Sequence, residues 1–164
     1  MSETHQDELK PGDKAPEFKL SANGNREISL KDFEGQKLVL YFYPKDDTPG
    51  CTTEACGFND ILDELKNLNA AVVGVSKDSV AKHEKFAGKY GLNFPLLSDE
   101  EAAICEAYGV WREKSMYGKT YMGIERSTFL IDERGEIQKV WRKVKVKGHV
   151  DEVKSTLTQG EQAA

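Results

Sequence analysis

At 164 residues with 38% hydrophobic content, the chain is long enough for one domain with its own core and needs no metal or disulfide staple to fold. A formal charge of -5 argues against nonspecific binding to nucleic acid or to a membrane surface, because phosphate-rich surfaces recruit basic patches. The first ten residues have neither the basic end nor the apolar core of a signal peptide, and no segment reaches the apolar length of a membrane span; a reducing, cytoplasmic setting is expected, where close cysteines are more often redox-active or metal-binding than structural.

Residues 1–9 read as a flexible tail and residues 10–160 as a single domain. After the turn-rich stretch Lys10 to Pro16, Glu17 to Leu20 and Arg26 to Leu30 flank Asn23-Gly24-Asn25, a hairpin pattern. Lys37 to Tyr43 is a nearly continuous apolar and aromatic run, as in a strand buried on both faces, and Pro44 ends it. Phe58, Ile61, Leu62, Leu65 and Leu68 recur at spacings of three and four and predict an amphipathic helix. Ala70 to Ser76 reads as a second buried strand, Asp78 to Tyr90 as a helix stopped by Gly91, Phe94 to Ser98 as a short strand and Asp99 to Tyr108 as a short helix. Trp111 to Gly123, rich in Lys, Tyr, Met and Gly, reads as a loop crossing one end of the sheet. Ser127 to Asp132 and Glu136 to Trp141 form a late hairpin, Arg142 to Lys147 alternates like a half-exposed strand, and a final helix runs from about His149 to Leu157. Strands alternating with helices imply an α/β fold, a mixed central sheet flanked by helices on both faces.

The chemistry concentrates between Tyr43 and Cys56, where Pro49-Gly50 precedes Cys51-Thr52-Thr53-Glu54-Ala55-Cys56. A turn followed by Thr-Thr-Glu opens a helix, and the free N–H groups and dipole of a helix start favour an anion such as a thiolate on Cys51. The plainer alternative is two small buried hydrophobes. Thr48 stands three residues before Cys51, where its hydroxyl can reach the sulfur or simply cap the helix. On an ideal helix Cys51 and Cys56 would stand roughly 8 to 9 Å apart at the α-carbon, beyond the limit of about 7 Å for a disulfide, so a bond between them requires the first turn to unwind. Structural zinc asks for four ligands; beyond the cysteine pair the chain offers only Cys105 and the scattered His5, His83 and His149, which argues against a metal. His83 and His149 read as solvated surface residues. Arg126, ahead of the Ser127 strand, is a candidate cationic partner for Cys51, with a solvent-facing pair to Glu125 or Glu54 as the alternative that sequence alone favours.

Pro44-x-x-x-Thr48-x-x-Cys51 with the later Arg126 resembles the peroxiredoxins. Thr48-Pro49-Gly50-Cys51-Thr52-x-Glu54-x-Cys56, Phe94 to Asp99, Tyr108 to Trp111 and Gly118 to Arg126 extend the likeness to the Q-type, bacterioferritin comigratory branch, over nearly the whole chain from Leu9 onward. The resemblance implies a thioredoxin fold with an N-terminal β-hairpin extension, no cofactor, and a monomeric thiol peroxidase acting on hydrogen peroxide and organic hydroperoxides. It implies Cys51 as the attacking thiolate, Cys56 as the resolving cysteine in a Cys51–Cys56 disulfide, and Pro44, Thr48 and Arg126 around the bound peroxide. Thioredoxin or a similar dithiol protein would be the reductant. Cys105 is expected to pack in a helix. Cys-x-x-Cys, the mark of a protein disulfide reductase, is absent, and a redox sensor or holdase is the remaining alternative.

Overall fold

In the computed structural model, which describes residues 8–163, the expected N-terminal hairpin is present as β1 (Lys19–Ala22) and β2 (Arg26–Ser29), paired antiparallel. One 3-10 turn over Leu30–Phe33 leads to β3 (Lys37–Phe42). Then come α1 (Pro49–Asp60), α2 (Leu62–Asn67), β4 (Ala70–Ser76), α3 (Val80–Tyr90), β5 (Leu96–Ser98) and α4 (Ala103–Ala107). The chain closes with β6 (Trp111–Met116), β7 (Lys119–Ile124), β8 (Ser127–Ile131), β9 (Ile137–Trp141) and α5 (His149–Ala163). Seven strands make one mixed sheet in the order β2-β1-β5-β4-β3-β8-β9. Strands β3, β4 and β5 run parallel, and β8 joins β3 antiparallel. This is the thioredoxin-type mixed sheet with the hairpin added at one edge.

Strand β3 shows why the apolar run was needed. Successive side chains alternate between faces, so Leu38, Leu40 and Phe42 enter one core with Phe129 and Tyr108, while Val39, Tyr41 and Tyr43 enter the other with Phe58, Phe86 and Leu130. Helices α1, α3 and α5 contribute to the second core, and the first is closed by the Leu30 turn and α4. Ser79 caps α3 by accepting from Lys82 N–H, and Gly91 ends it at φ 63, a left-handed conformation that glycine takes without strain.

Four expectations change. The single amphipathic helix from Phe58 to Leu68 is two: the axis breaks at Ile61 (φ -109, ψ 13), because α1 runs along α5 whereas α2 turns down onto β4. Trp111 to Gly123 is not a loop. Strands β6 and β7 form a separate two-stranded ribbon, joined by Tyr117 and Gly118 at φ 54 and 78, the paired positive values of a tight two-residue turn. Arg142 to Lys147 forms no strand; β9 ends at Trp141, and Val144 N–H is drawn to the Arg126 carbonyl at 2.9 Å. His83 and His149 are buried rather than solvated, as their bonds below explain. Of the expected tail, residues 1–7 lie outside the described residues; Glu8 accepts from Arg112 at 2.6 Å. Among the described residues no helix is long and apolar enough to cross a membrane.

Candidate active site

The parallel strands end where β3 gives way to the loop Pro44 to Thr48, which leads directly into α1. Such C-terminal strand ends are where ligands meet open α/β sheets. Thr48 occupies the N-cap position with extended backbone (φ -102), and Pro49 follows at the first helical position, where its missing N–H costs nothing. The first helical bond is Thr52 N–H to Thr48 C=O at 2.8 Å, so the N–H groups of Gly50 and Cys51 precede it and project from the helix start. The Thr48 hydroxyl is turned to the Lys45 carbonyl at 2.9 Å and does not cap the helix; it braces the loop.

Cys51 is 2% exposed, on the inner side of the first turn among Tyr41, Tyr43 and Ala55. Arg126 sits in the short connection between β7 and β8 rather than on a strand, and its Nη2 donates to Cys51 Sγ at 3.4 Å while Nη1 donates to Glu54 Oε1 at 2.6 Å. The approach depends on Gly50: a Cβ there would stand 3.3 Å from Arg126 Nη2. Sequence alone favoured a solvent-facing pair of Arg126 with Glu125 or Glu54; the pair is with Glu54 and is largely buried, and Arg126 makes the contact with Cys51 as well.

Burial works against the guanidinium charge, but Glu54 and Cys51 outweigh it, and Arg126 holds its proton more tightly than a free arginine. Glu54 is fully buried, and desolvation raises its pKa to about 7 despite Arg126; its second oxygen has no hydrogen-bond partner among the described residues. The Tyr41 hydroxyl is likewise buried without a partner, and burial, Glu54 and Cys51 all push its pKa up. Lys114, on β6, was not singled out from the sequence. Its pKa is lowered, first by burial and then by Arg126, while Glu125 and Cys51 act in the opposite sense, which makes it a second cation whose field reaches the thiol. Only the folding of the ribbon brings it there.

Cys56, five residues on, is half-buried on the same intact helix, and Cys51, Cys56 and Cys105 are all free thiols. Burial and then Asp60 raise the Cys56 pKa. Cys105 lies in α4 with its backbone N–H bonded to Asp99 at 2.8 Å; burial and then Asp99 push its thiol pKa far up, which fits the packing role expected of it. Pro44 lies exposed at the head of the loop. His149 Nε2 is 2.8 Å from Thr128 Oγ1, and burial lowers its pKa to about 4, so it is neutral; neither it nor His83 is bonded to the sulfur. Among the described residues no group of three or more His, Cys, Asp and Glu is placed to hold a metal ion.

A thioredoxin fold that delivers a buried cysteine, at a helix start, to an arginine defines a thiol-dependent redox enzyme. The AhpC/TSA family profile matches residues 11–140, and the chain belongs to that family: it is a peroxiredoxin, a thiol peroxidase that uses peroxide as oxidant and a thiol as reductant. Peroxiredoxin Bcp of Bacillus subtilis is 53% identical over 146 residues, which cover 89% of this chain and 93% of the relative. The structure of Xylella fastidiosa PrxQ superposes with a TM-score of 0.90 at 44% identity, covering 94% of this chain and 99% of that one. The bacterioferritin comigratory protein of Xanthomonas campestris, studied for alkyl peroxide reduction, gives a TM-score of 0.84 at 48% identity, over 87% of this chain and 91% of its own.

Proposed function

We propose that Cys51 is the residue that attacks peroxide and Cys56 the one that resolves it, with hydrogen peroxide and alkyl hydroperoxides as substrates and thioredoxin or a similar dithiol protein as reductant. The observation that carries this reading is Cys51 Sγ at the first turn of α1 with Arg126 Nη2 at 3.4 Å. Helix start and guanidinium set positive charge where a thiolate sits and where negative charge develops on a leaving oxygen. The Cys51 thiolate attacks the terminal peroxide oxygen; the S–O bond forms, the O–O bond breaks, and the alkoxide or hydroxide leaves and takes a proton. Arg126 and the N–H groups of Gly50 and Cys51 hold the peroxide oxygens. The family pattern also puts Pro44, at the head of the loop, and Thr48, whose hydroxyl braces that loop through the Lys45 carbonyl, beside the bound peroxide.

The product sulfenic acid is then attacked by the Cys56 thiolate, which forms the disulfide and releases water once a proton is taken up. Both thiols sit on one continuous helix, so the first turn of α1 opens before they meet. A dithiol protein restores both thiols by exchange. The same reading takes the enzyme as a monomer of the reducing cytoplasm, where its thiols are kept available for the next cycle.

Peroxide-dependent oxidation of thioredoxin tests the assignment. Cys51→Ser abolishes peroxide consumption. Cys56→Ser permits one turnover and leaves a sulfenic acid that dimedone traps for mass spectrometry. Retained activity without Cys51, or normal cycling without Cys56, overturns the corresponding role.

A further inference from the structure

The loop between β3 and α1 carries a buried acid that the peroxide chemistry does not use. Asp46, in its middle, accepts from the Tyr43 hydroxyl at 2.5 Å, and its other oxygen lies 2.6 Å from His83 Nδ1. The His83 side chain is fully buried in α3, and its Nε2 donates to the Leu97 carbonyl at 2.9 Å, since a carbonyl can only accept. A proton therefore lies between Nδ1 and the carboxyl group, whichever partner holds it. The Asp46 N–H donates to Asp78 at 2.8 Å. The next residue, Asp47, has φ 60, and its carboxylate is held by Lys89 at 2.9 Å and by the Tyr90 hydroxyl at 2.8 Å, both from the end of α3. A left-handed aspartate persists where its surroundings over-determine it. The loop is thus clamped through Asp47, and the segment free to change shape begins at Thr48 and carries Cys51.

We propose that this α3 clamp, His83 on Asp46 and Lys89 with Tyr90 on Asp47, is a positioning device for the peroxide step: it fixes the upstream boundary of the turn that opens and so holds Cys51 under Arg126. The inference rests on the Cys51 and Cys56 roles proposed above. The closed site needs Asp46 and Asp47 held where the clamp puts them, whereas the open form sets no such requirement, so weakening the clamp lowers the closed population without removing any group that contacts peroxide. Two rates then move in opposite directions. Cys51 oxidation slows, because the closed site is occupied less often; disulfide formation speeds up, because the open form that lets Cys51 meet Cys56 is occupied more often. Sulfinic acid, the product of a second peroxide attack on the sulfenic acid, declines accordingly. A histidine that served stability alone would lower the melting temperature and leave the ratio of the two rates in place.

Stopped-flow measurement of Cys51 oxidation by hydrogen peroxide in a Cys56→Ser background, with quenched-flow mass spectrometry of disulfide formation in the two-cysteine protein, reads both rates. For His83→Phe the ratio of disulfide formation to Cys51 oxidation rises by about tenfold, the factor equivalent to one buried hydrogen bond at the upper end of its usual net worth. Asp46→Asn can still accept from Tyr43 and donate to His83, so it stays nearer the parent ratio than Asp46→Leu. The exposed-side pair Lys89→Met with Tyr90→Phe leaves the core untouched and shifts the ratio in the same direction by about threefold, as for one weaker surface contact. This pair decides the matter should the core variants fail to fold. An unchanged ratio in Lys89→Met/Tyr90→Phe, or a parallel fall of both rates in His83→Phe, overturns the clamp. Failure of the parent protein to form the Cys51–Cys56 disulfide overturns the underlying reading instead.

Discussion

Glu54→Gln isolates the electrostatic cost built into the active site. The carboxylate is fully buried, donates nothing, and has one oxygen on Arg126 at 2.6 Å and the other without a partner among the described residues. Glutamine keeps the acceptor for Arg126 and replaces the orphaned oxygen with an amide. Burial raises the Glu54 pKa from 4.5 to about 7, so the folded protein holds this proton more tightly than the unfolded chain. The stabilisation is fully present below pH 4.5 and is lost as pH rises through 7. At 1.36 kcal/mol per pH unit the loss amounts to about 3 kcal/mol. Glutamine has no such proton. In urea unfolding of the two reduced proteins at matched pH, contributions common to both cancel, and the variant gains about 3 kcal/mol on the parent between about pH 4.5 and pH 8. A stability difference that stays flat across that range would refute the argument and show that Arg126 offsets the burial of Glu54 in full.

Two further outcomes follow from the packing. Cys105→Ala costs about 1 kcal/mol through the small cavity left in a fully buried site, yet steady-state peroxidase turnover with a protein dithiol is unchanged; a loss of turnover would assign that thiol a redox role. Gly74→Ala places a Cβ 3.0 Å from both Leu96 Cδ2 and Tyr41 Cζ inside the sheet core, so thermal unfolding should report a loss of about 2 kcal/mol from overpacking, and an unchanged melting temperature would show that Tyr41 can move aside.

The sheet was legible because its strands obey simple rules. Lys37 to Tyr43 and Ala70 to Ser76 are too apolar to lie anywhere but between two covered faces, and β3 and β4 form almost on those bounds. Cys51 and its helix start were legible because Pro49 and Gly50 punctuate the chain locally. The β6–β7 ribbon was not, because only its base, Trp111 and Ile124, meets a core; the rest is largely exposed, and without burial there is no strict alternation to read. Its one local signal was Tyr117-Gly118, a weak form of the two-residue hairpin turn. His83 and His149 escaped for the opposite reason. Their neighbours in sequence are polar, and only the fold brings Asp46, Leu97 and Thr128 against the rings. Arg142 to Lys147 has strand-like alternation, but its backbone is claimed by the Arg126 connection.

The ribbon has a practical consequence for following the chemistry by mass. Its Met116 and Met122 are 55% and 48% exposed, with thioethers open to the peroxide that Cys51 consumes. A methionine sulfoxide and a cysteine sulfenic acid each add one oxygen atom, so the intact mass of a treated sample cannot tell a bystander from the reacting sulfur. Peptide-level assignment is what separates slow surface wear from turnover. The same two sulfurs, left in place, record how much peroxide reached the protein without being reduced.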